Sequence, residues 1–401
     1  MTCKELSLYI HIPFCVSKCD YCDFFSIATG ATDSVPSEYI NALCNELIYR
    51  INEYGPCKIK TVYIGGGTPS LLNKDALNKI TQTIKAFDSL EDIEFTVEVN
   101  PDDVTPELLQ NLETAGVNRI SCGIQSFCDD VLKKAHRRAD EKTVYLALEL
   151  ISRDWKKFIS ADLICGLPGE TEQTMLKGLG ELVQKKIPHI SFYSLCIEEE
   201  TPLGKAILCG RQGYDQDSAD ELWIKGRDYL LKNGYIQYEV SNFCLPGFEC
   251  KHNMTYWKHK DYLGCGSGAT GTIYNMPLWN IELAKKGEGV RYTNTKNIAE
   301  YIDFWGRNQI KKGENPVKLP QDVEKIIHQT SKFEYFMMGL RTNNGVSIAE
   351  YEELFGEPLP AKIEQMLKSE CRQSDQNRYY LDTEKLLFLN FFLEELLQIL
   401  E

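Results

Sequence analysis

Three thiols set the first chemical expectation. In Tyr9-Ile10-His11-Ile12-Pro13-Phe14-Cys15-Val16-Ser17-Lys18-Cys19-Asp20-Tyr21-Cys22-Asp23-Phe24, cysteines recur as C-x3-C-x2-C after a run of β character. Soft sulfur ligands this close in one loop can hold three irons of a 4Fe–4S cluster. No fourth protein ligand is evident, which would leave one iron open to bind something else. The same spacing suits a structural zinc site completed by Cys3 or His11, and the cysteines alone do not choose between the two.

Other residues bear on the choice. Gly65-Gly66-Gly67-Thr68-Pro69 lets the backbone approach a ligand closely and offer N–H and C=O groups, although a tight strand-to-helix turn also uses glycine. Glu98 ends an apolar run and could accept hydrogen bonds from an ammonium or a ribose, or meet solvent. Asp162 lies within Ala161–Ile164, and an acid among apolar residues requires partners. Arg137 could pair with a carboxylate or be an exposed helix charge. His252, beside Tyr256 and Trp257, could ligate haem iron, with the aromatic rings against the porphyrin; a packed, hydrogen-bonded histidine is the plainer alternative.

A six-fold alternation must position these groups. Strand-like runs at Ser7–Ile12, Thr61–Ile64, Glu94–Val99, Arg119–Ile124, Ile159–Ile164 and Ile190–Leu195 alternate with helix-like stretches. Those stretches are about Pro36–Tyr54, Lys74–Phe87, Pro106–Ala115, Asp129–Ser152 and Glu172–Lys186, so βα units and a parallel sheet or barrel are expected. Chemistry collects at the carboxyl ends of such strands. The cysteine loop follows the first run, the glycines follow the second, Glu98 closes the third, Gln125 ends the fourth and Asp162 falls late in the fifth. One rim therefore gathers the candidates.

Composition narrows the class. The chain has 401 residues, 43% hydrophobic and 25% charged, with a formal net charge of −14. That charge disfavours nonspecific nucleic-acid binding and a basic face for anionic membrane. Fifteen scattered cysteines without a signal-peptide core point to a reducing cytoplasm. Leu386–Leu400 is too short and too often interrupted to span a bilayer and reads as a terminal helix packed on its own domain.

Together the motifs YIHIPFC-x3-C-x2-C, GGGTPS, VEVNP, GIQSF, the arginine of AHRRAD and DLICGLPGET resemble the radical S-adenosylmethionine (SAM) superfamily, in the branch containing oxygen-independent coproporphyrinogen oxidase. The resemblance implies an α/β fold, a partial (β/α)6 barrel. It implies that Cys15, Cys19 and Cys22 ligate a 4Fe–4S cluster whose open iron chelates SAM, and that Tyr9, Gly66, Gly67, Thr68, Glu98, Gln125, Arg137 and Asp162 line the SAM pocket. In such proteins the reduced cluster cleaves SAM to methionine and a 5′-deoxyadenosyl radical.

The second half resembles the haem-chaperone branch more closely, through YEVSNF, PG, HNMTYW and YLG-x-G-x-GA. That implies haem as cargo, His252 as its candidate ligand and an apo-haemoprotein recipient; a homodimer is compatible with it. The alternatives are an oxygen-independent coproporphyrinogen III oxidase or another radical tetrapyrrole enzyme. Against the oxidase stand Phe24, where that enzyme carries a further cysteine, and the lack of an N-terminal extension before Tyr9. One departure is that the branch commonly has R-x-H where this chain has Arg137-Arg138-Ala139, with His136 on the other side.

The expected organisation is a core barrel over 1–240, an extension over 241–315 carrying HNMTYW, and a mainly helical, winged-helix-like domain over 316–401. Within these, Leu203–Gly213 and residues 270–315 read as loop and irregular connection. Asp322–Gln329, Phe333–Arg341, Ile348–Phe355 and Ala361–Lys368 read as helices, and Tyr379–Leu381 as a strand.

Overall fold

The computed structural model describes residues 4–30, 35–279, 281–307 and 319–400. Six parallel strands, β1 (Lys4–Ile12), β2 (Cys57–Gly66), β3 (Glu94–Val99), β4 (Arg119–Gln125), β5 (Phe158–Cys165) and β6 (His189–Ser194), pair in sequence order. Helices α1 (Ser37–Tyr54), α2 (Lys74–Lys85) and α3 (Pro106–Ala115) cross between the first four. Two helices, α4 (Asp129–Lys134) and α5 (Glu141–Asp154), join β4 to β5, and α6 (Glu172–Gln184) joins β5 to β6. The period of two divides each strand between two environments. Leu6, Leu8, Ile10 and Ile12 of β1 belong to the main apolar core, as do Ile120, Cys122 and Ile124 of β4 and Ile159, Ala161 and Leu163 of β5. The intervening residues, such as Ser121, Ser160, Asp162 and Ser191, line an interior cavity.

The joint between α4 and α5 departs from the single helix expected over Asp129–Ser152. The Arg137 N–H donates to Leu132 O (2.9 Å) and the His136 N–H to Lys133 O (3.2 Å), a Schellman stop with His136 in the left-handed region at φ 51°. Asp140 then caps α5 by accepting from the Thr143 N–H at 2.8 Å. Arg137 is thereby carried on a loop instead of a helix face.

Beyond β6 the chain forms α7 (Pro202–Leu208), where a loop was expected, and α8 (Gln216–Lys232). Short antiparallel strands β7 (Ile236–Gln237) and β8 (Asn242–Cys244) extend the sheet past β6. After α9 (Lys251–Trp257), β9 (Tyr262–Cys265) pairs parallel to β1 on the other flank. Strands β10 (Thr270–Tyr274), β11 (Gly289–Asn294) and β12 (Gln321–Ile326) continue outward, each antiparallel to the last. The sheet is thus twelve strands in the linear order β12-β11-β10-β9-β1-β2-β3-β4-β5-β6-β8-β7, an opened barrel. Two expectations fall here. The span 270–315 contains strands and α10 (Ile298–Arg307) in its described part, and Asp322–Gln329 begins as strand because β11 supplies the hydrogen bonds that its polar sequence could not foretell.

This flank is pinned by a buried arginine. Arg50 of α1 is 1% exposed, donates to Asn294 Oδ1 (2.6 Å) and Gln321 Oε1 (2.8 Å), and lies 3.9 Å from the ring centroid of Tyr292. Glu46, also on α1, accepts from the Gly266 N–H at 2.8 Å. A charge taken out of water needs such partners, so α1, β9, β11 and β12 are tied at one point.

The C-terminal residues have their own core. Helix α11 (His328–Gly339), β13 (Val346–Ser347), α12 (Ile348–Phe355), α13 (Ala361–Glu370), β14 (Arg372–Gln373) and β15 (Arg378–Tyr380) follow the order of a winged helix, with a sheet ordered β13-β15-β14. Helix α14 (Leu389–Leu400) buries Leu389, Phe392, Leu393 and Leu396 against this unit. Among the described residues no helix is long and apolar enough to cross a membrane.

Candidate functional site

The carboxyl ends of the strands surround a cavity of about 510 Å³. Ten of the twelve candidates line it: Cys15, Cys19, Cys22, Gly66, Gly67, Thr68, Glu98, Gln125, Arg137 and Asp162. Tyr9 and His252 stand behind its wall.

The cysteine loop leaves β1 through a two-residue pairing of Phe14–Cys15 with Ile27–Ala28. Thr29 N–H donates to Cys15 O at 2.8 Å and closes the loop. All three thiols are free, Cys15 buried and Cys19 and Cys22 half-buried. Gly67 permits this closeness: a Cβ there would lie 2.7 Å from Phe14 O and 2.9 Å from Cys15 Sγ. Tyr21 packs with Val131, Ala135, Leu195 and Leu203, anchoring the middle of the loop. Burial pushes the Cys22 thiol up to about 11, so a cluster must displace its proton on binding.

The zinc alternative finds no fourth ligand among the described residues. His11 Nε2 donates to Phe25 O (2.9 Å), which leaves Nδ1 to accept from the Tyr9 hydroxyl (2.9 Å). Both nitrogens are engaged, and Cys3 lies outside the described residues. Among the described residues no three His, Cys, Asp or Glu side chains close to single-ion distances. Three spread thiols facing a cavity fit a cluster, whose irons each take one sulfur, better than a tetrahedral ion.

Beside the thiols, Arg137 donates from Nη1 to Cys19 Sγ (3.5 Å) and from Nη2 to Gly123 O (2.6 Å) and Asn100 Oδ1 (3.1 Å). Its Nε is buried without a partner, a donor left over for a bound anion. Glu98 accepts from the Tyr63 hydroxyl (2.8 Å) and the Gly66 N–H (3.1 Å). Burial pushes its carboxyl up to about 7; the two hydrogen bonds oppose this and the nearby Asp162 adds to it. Asp162 accepts from Ser121 Oγ (2.9 Å) and Ser160 Oγ (3.4 Å), and burial holds it above the usual carboxylate range. Arg119, on the same cavity wall, partly offsets the charge of Asp162, and two acids this close favour a further cation. Asn100 Nδ2 donates to Thr68 Oγ1 at 3.2 Å. Gln125 follows a bulge in the β4–β5 register and has φ 69°, which re-aims its side chain at the cavity.

The serines around Asp162, with Tyr63, Asn100 and Tyr193, were not singled out from sequence. Alternation held the signal: Arg119, Ser121, Gly123 and Gln125 occupy every second position of β4.

Helix α9 lies across the amino ends of these strands. Glu94, first residue of β3, accepts from the N–H groups of His252 (2.8 Å) and Lys251 (3.0 Å). His252 is 1% exposed; Nδ1 is 2.7 Å from Thr61 Oγ1 and Nε2 is 2.8 Å from Tyr256 Oη. Its ring stacks on Tyr63 at 4.9 Å. Burial lowers its pKa to about 3, keeping it neutral. With no free nitrogen and no open face, His252 does not present itself as the axial ligand expected from its motif.

Barrel, thiol loop and polar chamber define a radical SAM protein, and the profile of the Radical SAM superfamily matches residues 9–179. The fold is shared with "Coproporphyrinogen III oxidase (HemN) from Escherichia coli": TM-score 0.77 over 98% of this chain and 90% of that one, at 19% identity. Curated relatives are closer in sequence. "Heme chaperone HemW" of Lactococcus lactis subsp. lactis is 34% identical over 92% of each chain. The proteins of the same name from Bacillus subtilis and Escherichia coli K12 are 35% and 34% identical, over 90% and 97% of each chain. The chain belongs to the HemW family of the radical SAM superfamily, whose radical SAM domain implies a 4Fe–4S cluster and SAM.

Proposed function

We propose that this protein binds haem and delivers it to apo-haemoproteins, assisted by its cluster and SAM. The observation that carries the reading is similarity to proteins named heme chaperones along nearly the whole chain, C-terminal unit included. Cys15, Cys19 and Cys22 would hold three irons, and the cluster would supply an electron to SAM at the fourth. Arg137, with its leftover Nε, would meet the SAM carboxylate; Glu98 and Asp162 would face its positive charges; Gly66, Gly67 and Thr68 would let it approach the backbone. Tyr9 and His252 would act from behind, His252 by stacking on Tyr63, which in turn fixes Glu98. The protein orients the cofactor and excludes water, while the hard chemistry belongs to the cofactor.

Purified protein reconstituted without oxygen should bind hemin stoichiometrically and restore an apo-haemoprotein mixed with it. Protoporphyrinogen formed from coproporphyrinogen III and SAM under the same conditions would replace this reading with the decarboxylase.

A further inference from the structure

We propose that His136 supplies the imidazole that ligates the haem iron, with Asp20 as the carboxylate that orients it. This deepens the haem-binding reading and rests on it. Accessibility is the first argument. Of the six histidines in the chain, five are enclosed: His11, His189, His252, His259 and His328 are between 1% and 8% exposed. Each has at least one ring nitrogen hydrogen-bonded inside the protein, to Tyr9 and Phe25, Ser160 and Tyr238, Thr61 and Tyr256, Ser331, and Lys286 respectively. The side chain of His136 is 69% exposed.

Orientation is the second. His136 Nδ1 lies 2.5 Å from Asp20 Oδ2. A carboxylate only accepts, so Nδ1 donates in this pair, and Nε2 of this mostly exposed side chain has no hydrogen-bond partner among the described residues. Metal-binding histidines are characteristically held this way, the carboxylate fixing the tautomer and raising ligand basicity. Asp20 is itself clamped, its N–H donating to Ala135 O (3.3 Å) and its C=O accepting from the Leu203 N–H (2.9 Å). Two separate elements are thereby preorganised around one nitrogen.

Position is the third. His136 occupies the left-handed position of the Schellman stop, at φ 51°, where glycine fits without strain. Lys133 and Lys134, exposed on the last turn of α4, offer ammonium groups to the haem propionates. Cys19 and Arg137, next to Asp20 and His136, line the cavity, which puts the cargo at the rim of the cluster site. A surface ligand also suits cargo that must leave, since release requires no opening of the core.

Hemin titration of the cluster-loaded protein, read by absorption and EPR, tests this. His136→Gly is the decisive variant, because glycine suits the backbone there and fold and cluster iron content should be retained. We expect loss of the imidazole-type low-spin spectrum and weaker binding, with the spectrum restored by free imidazole. Asp20→Asn should keep the ligand type and weaken affinity about tenfold. If wild-type protein binds hemin and His136→Gly gives the same spectrum and affinity, the ligand assignment is overturned while haem binding stands. If wild-type protein takes up no hemin, the haem-binding reading falls and the assignment falls with it.

Discussion

The cysteine loop and helix α9 close the two ends of one set of strands and treat their polar groups differently. In the loop the three thiols form no disulfide and face the cavity, and Phe24 is 70% exposed. In α9 His252 has both ring nitrogens bonded, and Glu94 holds the first turn of the helix. The loop thus keeps reactive groups available, whereas the helix uses its groups to hold Tyr63 and the floor of the chamber. A motif marks residues that matter without saying whether they matter by reacting or by bracing. The difference shows in hydrogen-bond saturation, since a fully partnered buried group has nothing left to give a ligand.

Several substitutions would break or sharpen this contrast. The largest effect is expected from Cys19→Ser, which should abolish the cluster while leaving the fold intact; iron, sulfide and visible absorbance measure the first, circular dichroism the second. His252→Ala should do the reverse, lowering unfolding stability by about 3 kcal/mol by leaving Thr61 and Tyr256 unpartnered around a void. Denaturant unfolding reads this, and an unchanged midpoint would remove the bracing role.

A pH effect comes next. Glu98 carries a raised pKa of about 7, so below that pH it is protonated and a bound cation must displace the proton. SAM affinity should therefore rise as pH increases through 7, falling about tenfold per unit on the acid side, and the dependence should flatten in Glu98→Gln. Without ligand the sign for stability is opposite: the folded state holds this proton above the ordinary carboxylate pKa, so Glu98 disfavours folding progressively as pH rises toward 7. Isothermal titration at stepped pH checks the first statement and thermal melts the second. The smallest effect is expected from Phe24→Ser, within about 0.5 kcal/mol of wild type, because the ring is mostly in solvent.

The six core strands were legible because β-branched runs alternate with capped, amphipathic helices, and the rim residues were legible because chemistry gathers at strand ends. What escaped depends on distant partners. Thr61 is 191 residues from His252, and nothing local announces that pairing. The stop after α4 was hidden because histidine stands where glycine would have signalled it. Strand β12 has a polar sequence and exposes Asp322, Val323 and Glu324, so only its pairing with β11 makes it a strand.

Arg50 carries a consequence for anyone shortening this protein. Two of its acceptors, Asn294 and Gln321, come from strands long after the sixth core strand, and β1 takes β9 as its second neighbour. A fragment ending near residue 240 would keep the three thiols of the loop and every SAM-pocket candidate. It would also leave Arg50 with Glu46 as its remaining partner, strip the Tyr292 ring from its face, and bare a strand edge ready to pair with another chain. Such a truncation is expected in inclusion bodies, and dissection of this protein should begin from its carboxyl end.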